Sequence, residues 1–222
     1  MKKSILYPLI YLGIVILGMM WNGIVVRRII RVLLIEGGSF DDLQRIANAS
    51  RLLSLGGSLI ASVFVFLILI PLSPRYRRIT MMALVQIISI VLTGLGFMIV
   101  FNINNISLLV MVLIGIGVMV ELLPIGFGVW AVMDRQHTPV IRNALAVYVG
   151  SLFIGLLMNG TTGQVIFDGG LLLEANVLVR ASVSVLLNIA ATAAFIVVLH
   201  AIFREEEQYQ EMERTVPLAD LD

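Results

Sequence analysis

Glu121 is the residue whose type and position most directly suggest chemistry. It is the one charged residue in the apolar stretch Ser107–Met133, and Pro124 follows it three positions later. As a helix this stretch is about 40 Å long, which is enough to cross a bilayer and places Glu121 near the bilayer centre. A carboxylate at that depth costs about 2.5 to 3.5 kcal/mol, so it needs a bound proton, a polar partner or a path for water.

Two interpretations of Glu121 remain open from the sequence. In the functional one, Glu121 binds a proton and thereby gates or couples transport. In the structural one, Pro124 removes the usual hydrogen bond to the carbonyl group of Val120. A protonated Glu121 then satisfies the freed backbone groups or pairs with a neighbouring helix.

The last apolar stretch carries polar residues at four-residue spacing, which on a helix form a ridge that crosses one neighbouring helix. The row consists of Asn176, Arg180, Ser184, Asn188 and Thr192. Asn188 lies near the middle of the predicted span and is thus at a depth to meet Glu121, whereas hydrogen bonding between helices is the alternative role of the row. We therefore predict a candidate intramembrane polar site, formed by Glu121, Pro124, Asn188 and Ser184.

The acidic stretch after Arg204 is a second candidate site, because seven of the 14 acidic residues lie beyond this position. An anionic membrane surface repels such a segment, so we expect it to project into the cytoplasm. If it is helical, two apolar residues share one side and the acids steer a basic partner. The predicted partner-docking residues are Glu205, Glu206, Glu207, Tyr209 and Met212. The alternative is a tail that only solubilises the chain.

Other kinds of chemistry find little support in the sequence. The chain has no cysteine, and its two histidines, His137 and His200, stand apart from any carboxylate cluster. A metal site needs three or more such ligands, and no nucleophile triad, phosphate-binding loop or zinc-protease motif is present. We expect no catalytic, cofactor-binding or metal-binding residues, and an intramembrane enzyme would need a reactive group that the sequence does not show.

Composition assigns the chain to the membrane. Of its 222 residues, 59% are hydrophobic and 13% are charged, and the mean hydropathy is +1.04. Soluble domains carry about 25% charged residues. The basic residues flank apolar stretches, a pattern that indicates membrane orientation and excludes a nucleic-acid partner.

The apolar stretches predict an all-α, polytopic bundle of six transmembrane helices with an interfacial amphipathic segment at 24–50. That segment is either a separate helix or an extension of the first span. Basic loops around Arg75–Arg78 and Arg135–Arg142 predict a cytoplasmic side that also holds both termini. The chain then divides into a transmembrane domain, 1–204, and an acidic cytoplasmic tail, 205–222. The predicted spans are 4–24, 52–72, 80–101, 107–133, 140–158 and 175–203.

Two functions of different class fit these features. The first is a non-catalytic, membrane-embedded subunit of a larger complex, with the bilayer and other membrane subunits, or further copies of the chain, as partners. The alternative is a small secondary transporter or channel component that uses Glu121. The predicted location is a bacterial-type plasma membrane.

Overall fold

A computed structural model describes residues 2–34, 40–101, 107–159 and 177–215, and this part of the chain is all-helical. It contains six α-helices and one short 3₁₀ helix, Ile70–Leu72. The α-helices are α1 (Lys3–Leu34), α2 (Phe40–Leu69), α3 (Ser73–Phe101), α4 (Ser107–Val132), α5 (Pro139–Asn159) and α6 (Val177–Thr215).

The chain reverses direction between α2 and α3, at the predicted basic turn. Pro71 lies in the 3₁₀ helix and Pro74 near the start of α3, where a missing backbone N–H group is tolerated. Tyr76 leaves helical geometry, with φ −115° and ψ 37°. Because α2 and α3 pack against each other, this region joins two neighbouring helices.

Four helical stretches in the described ranges are long and apolar enough to cross a membrane. They are Lys3–Trp21, Leu55–Gly96, Pro139–Leu157 and Val185–Glu213, and Met119–Val132 is a shorter apolar helix. These helices are compatible with the integral membrane protein that the sequence predicts. The number of six spans remains a prediction, since Leu55–Gly96 is one stretch of 42 residues that includes the turn.

The segment predicted to be interfacial begins as part of α1. This helix runs without a break to Leu34, as in the extension alternative, and α2 begins at Phe40. Residues 35–39 lie outside the described part of the chain. The position of this segment at a membrane surface therefore stays a prediction.

The helices pack in chain order as a closed ring. Each of α2 to α5 contacts the helix before it and the helix after it, and α6 returns to contact α1. Consecutive helices run in opposite directions, so the start of α1, the 70–76 turn, the 133–138 loop and residues 204–213 of α6 meet at one end. We call this the charged end. Next to it lies the core, whose fully buried side chains include Leu69, Ile79, Leu145, Leu199 and Ile202.

Candidate functional site

A cavity of about 260 Å³ lies inside the ring, between α1, α2, α3, α5 and α6. On α1 its lining extends from Tyr11 to Met19, which corresponds to about 12 Å along the helix axis. This is room for one small organic molecule or several water molecules. The polar residues of the lining are Tyr11, Ser58, Ser62, Gln86, Tyr148, Asn188 and Thr192.

Small residues explain why the interior is hollow at this level. The α1 and α2 backbones approach closely where Gly18 faces Gly57, because a Cβ atom added to Gly57 would lie 3.8 Å from the Gly18 Cα atom. Ser58, Ala61 and other short side chains continue the lining. Such side chains cannot fill the space enclosed by the ring, whereas the large side chains near the charged end do. Gly57 and Ala61, two small residues four positions apart, thus lie at the cavity wall.

An aromatic cluster forms the floor of the cavity towards the charged end. The Phe195 ring lies 5.3 Å from the Tyr11 ring and 4.7 Å from the Tyr148 ring, measured between centroids. On α1, α5 and α6 these are the lining residues closest to the charged end. The cavity is therefore separated from the charged end by this cluster and by the packed core behind it.

Polar and apolar groups occupy different walls. Ile14, Val15 and Met19 give α1 an apolar wall. Away from α1, the Tyr148 hydroxyl of α5 donates a hydrogen bond to the amide oxygen of Gln86 on α3, at 3.1 Å. This bond fixes the amide so that its NH₂ group remains as the donor of Gln86.

Of the residues predicted to form the intramembrane site, the structure describes the side chains of Glu121, Pro124 and Asn188. Asn188 lines the cavity, but neither Glu121 nor Pro124 is among its lining residues. In the described part of the chain, α4 packs on α3 and α5, and α6 packs on α1 and α5. The Ser184 side chain lies outside the described residues.

Ser89 provides a contact at Pro124 that sequence reasoning missed. Its hydroxyl on α3 donates a hydrogen bond to the carbonyl oxygen of Val120, at 2.7 Å. This is the carbonyl that Pro124 deprives of its helical partner. The bond satisfies a backbone group at membrane depth and holds α4 against α3.

Glu205 connects two loops at the charged end. It accepts hydrogen bonds from the Tyr76 hydroxyl at 2.7 Å and from the Thr138 hydroxyl at 2.8 Å. Tyr76 belongs to the α2–α3 connection and Thr138 to the α4–α5 connection. One carboxylate on α6 therefore links both helix pairs.

Glu207 holds the first turn of α1 in the same way. It accepts hydrogen bonds from the Ser4 backbone N–H group at 3.0 Å and the Ser4 hydroxyl at 2.8 Å. The first N–H groups of a helix have no partner within the helix, and the helix dipole favours a negative charge there. His200 adds a contact, with Nδ1 2.8 Å from the Ser4 carbonyl oxygen. Because a carbonyl can only accept, this nitrogen carries the proton.

The 133–138 loop contains a buried histidine beside an ion pair. Arg78 Nε lies 3.2 Å from Asp134 Oδ2, and the Arg78 guanidinium also donates to the Trp130 carbonyl at 3.1 Å. His137 stacks on Tyr76, and its Nε2 lies 3.8 Å from Asp134 Oδ2 without a hydrogen-bond partner among the described groups. Burial lowers the pKa of His137. The nearby charge of Arg78 also lowers this pKa, whereas the negative charges of Asp134 and Glu205 raise it.

The predicted docking tail is thus divided between internal contacts and exposed side chains. The helix continues through Arg204 to Thr215, and residues 216–222 lie outside the described part. Glu205 and Glu207 bind other parts of this chain, and Glu206 accepts a bond from Gln210 one turn later. Tyr209 and Met212 are 53% and 59% exposed.

Comparison of the chain with known protein families, with curated proteins and with solved structures gives no match. In the described residues, no group of three or more histidine, cysteine, aspartate or glutamate side chains could hold a metal ion. The cavity and the network at the charged end are therefore the features from which a function can be argued.

Proposed function

We propose that this chain is a six-span membrane transporter that binds a small solute in the cavity inside its helical ring. The observation that carries the proposal is a cavity with polar and apolar lining residues, which lies between five helices and has an aromatic cluster at one end. Polar groups within a membrane bundle are costly unless they are hydrogen-bonded or face a water-filled cavity, and binding sites of transporters lie near the bilayer midplane.

Six spans are part of the proposal. Packing of α2 against α3 supports a hairpin of two spans within Leu55–Gly96, and α4 continues the ring between α3 and α5. The positive-inside rule then favours a cytoplasmic position for the charged end, in a bacterial-type plasma membrane with both termini inside. The basic residues in its loops and at its helix ends are Lys2, Lys3, Arg75, Arg77, Arg78, Arg135, Arg142 and Arg204.

The α6 helix gives this bundle a means of alternating access. It carries Asn188 in the cavity, Phe195 in the floor and Glu205 with Glu207 at the charged end. Because these residues share one helix, a shift of α6 that opens the floor also breaks the carboxylate contacts. Solute would then leave towards the cytoplasm, after binding from the opposite side.

Blocking the cavity tests this proposal. Ala61 is buried in the lining, whereas its neighbour Ile60 is exposed on the outer surface of α2. In proteoliposomes we expect Ala61→Phe to reduce osmotic reswelling with a transported solute at least tenfold, and Ile60→Phe to leave it unchanged. A panel of small charged and uncharged solutes, compared with protein-free liposomes, identifies what is transported. Equal rates for Ala61→Phe and wild type with every transported solute, or reswelling no faster than in protein-free liposomes, would contradict transport through the cavity.

Proton coupling through Glu121 is a separate part of the proposal. Since Glu121 does not line the cavity, it would act through α4 and not by contact with the solute. Replacement by Gln then removes the pH dependence of uptake while the protein is still produced. Uptake with unchanged pH dependence in Glu121→Gln would show that this residue has only a structural role.

A subunit role is the second candidate function, and the exposure of Tyr209 and Met212 favours it. Truncation after Arg204 is a poor test, because it also removes the contacts of Glu205 and Glu207. Tyr209→Ser with Met212→Ser keeps those contacts and is expected to release a co-purifying membrane protein. The matched control is Gln208→Ser with Gln210→Ser. Retention of every co-purifying protein by the double variant would contradict docking through these residues.

A further inference from the structure

We infer that the cavity takes a small uncharged molecule with an apolar side and an oxygen that accepts a hydrogen bond from Gln86. This inference rests on the proposed function and specifies the class of solute. It follows from the charge, the distribution of polar groups and the orientation of one amide in the cavity.

Charge is the first criterion. The described lining contains no aspartate, glutamate, lysine, arginine or histidine. An ion that leaves water for such a site loses its hydration without gaining an opposite charge, and this loss is large in an apolar surrounding. Hydroxyl and amide groups can replace the hydration of a neutral polar group much more completely. The lining therefore favours neutral solutes over both anions and cations.

The distribution of polar groups is the second criterion. The α1 wall offers Ile14, Val15 and Met19, while α3 and α5 offer Gln86 and Tyr148. Within the described residues, α1 contacts α2 and α6 but neither α3 nor α5. A solute in this space meets hydrocarbon on one side and hydrogen-bonding groups on another. A molecule that is polar all round would leave some of its own groups without partners against α1.

Orientation of the Gln86 amide is the third criterion. Its oxygen accepts a bond from the Tyr148 hydroxyl, and this orientation leaves the NH₂ group as the donor that Gln86 offers to a solute. A carbonyl or hydroxyl oxygen is the complementary acceptor. The aromatic floor, formed by Tyr11, Tyr148 and Phe195, suits a flat apolar part next to that oxygen.

Four molecules of similar shape test the inference on the purified full-length chain. Benzamide is uncharged, benzoate is an anion and benzamidine is a cation at neutral pH, while toluene lacks the polar group. A ligand that binds the folded protein raises its unfolding temperature with concentration. We expect benzamide to raise the unfolding temperature of the wild type in detergent, with at least tenfold higher apparent affinity than the other three molecules. We expect Gln86→Leu to weaken the benzamide effect at least tenfold, and Gln210→Leu, at an exposed position on α6, to leave it unchanged.

The inference is overturned if benzoate or benzamidine binds as well as benzamide, if toluene does, or if benzamide does not bind. Because the wild type alone decides between these results, the test does not depend on the folding of Gln86→Leu. Failure of the solute class is distinguishable from failure of the proposed function. Reswelling that depends on Ala61 but occurs with charged solutes keeps the transporter and rejects the uncharged class, whereas reswelling that is independent of Ala61 rejects transport through the cavity.

Discussion

The charged end and the cavity are built from the same six helices but differ in how completely they are packed. Two carboxylates of α6 join three other segments of the chain at the charged end, and Leu145, Leu199 and Ile202 fill the core next to it. On the other side of the aromatic cluster, short side chains leave space beside Gln86 and Asn188. In the proposed function, the fixed end preserves the overall structure while the hollow region binds a solute.

Leucine truncations on α5 should show the largest difference between the two regions. Leu145 is 0% exposed in the core, and Leu152, two turns later, lines the cavity. Leu145→Ala is expected to cost about 2 to 4 kcal/mol because it creates a new cavity. Leu152→Ala enlarges an existing one and is expected to cost less than about half as much. Unfolding of both variants in a denaturing detergent measures their losses of stability. Equal losses would contradict the difference in packing.

Adjacent carboxylates on α6 should show the next largest effect. Glu205 accepts hydrogen bonds from two loops, whereas Glu206 accepts one from Gln210 on its own helix. Hydrogen bonds to a charged group contribute about 1.5 to 3 kcal/mol. We expect Glu205→Ala to lower the free energy of unfolding by about 2 kcal/mol and Glu206→Ala by less than about 0.5 kcal/mol. Equal unfolding temperatures for the two variants would show that Glu205 does not connect the loops.

Alanine substitution of two glycines measures how tightly the chain is packed at two places. Gly128 lies at a helix contact, and Gly57 lies at the cavity wall. A Cβ atom at Gly128 would lie 2.5 Å from a methyl group of Val149, so that side chain must move. At Gly57 the nearest atom is 3.8 Å away, an ordinary contact distance. Gly128→Ala is expected to cost about 1 kcal/mol from overpacking, and Gly57→Ala to be neutral or slightly stabilising. The unfolding temperatures of the two variants measure these effects. A larger loss of stability for Gly57→Ala than for Gly128→Ala would contradict the tighter packing at Gly128.

His137 is expected to make the stability of the charged end depend on pH. This is the smallest of the effects on stability that we predict. Burial lowers the pKa of His137 in the folded chain below its ordinary value of 6.5. The unfolded chain then binds the proton more readily, so this contribution to stability is complete above pH 6.5 and is lost as the pH falls through the folded-state pKa. We expect the free energy of unfolding to decrease as the pH falls below 6.5, because the unfolded chain then takes up the proton first. His137→Phe keeps the stacking on Tyr76 and should reduce this dependence, so an unchanged pH profile would exclude His137 as its source.

Some of this organisation could be predicted from the sequence. Apolar length and basic loops predict the helical bundle, and the position of Asn188 in its helix indicates a polar residue at membrane depth. Gln86 offered a similar signal, as an amide within the third predicted span. These features depend only on residues that are close together along the chain, so the sequence is enough to predict them.

Contacts between distant segments could not be predicted in the same way. The acidic stretch predicts repulsion from lipid, but nothing local indicates that Glu205 and Glu207 meet Tyr76, Thr138 and Ser4. A shared depth of Glu121 and Asn188 predicts proximity, yet the order of helices around the ring separates α4 from α6. The depth of a residue in the membrane can be predicted from its position within a span. The neighbours of a helix depend on how the six helices close into a ring, which the sequence of one span does not show.

Thiol labelling of single cysteine variants tests the central claim, an accessible cavity within the ring, most directly. The natural chain has no cysteine, so a serine replacement introduces the one reactive group without much change in volume. Both serines are buried, but Ser62 lines the cavity, whereas the Ser89 hydroxyl donates a hydrogen bond to the Val120 carbonyl. With the small uncharged reagent methyl methanethiosulfonate, we predict that Ser62→Cys reacts at least tenfold faster than Ser89→Cys in the membrane. Equal rates, or a faster reaction at Ser89→Cys, would contradict the cavity.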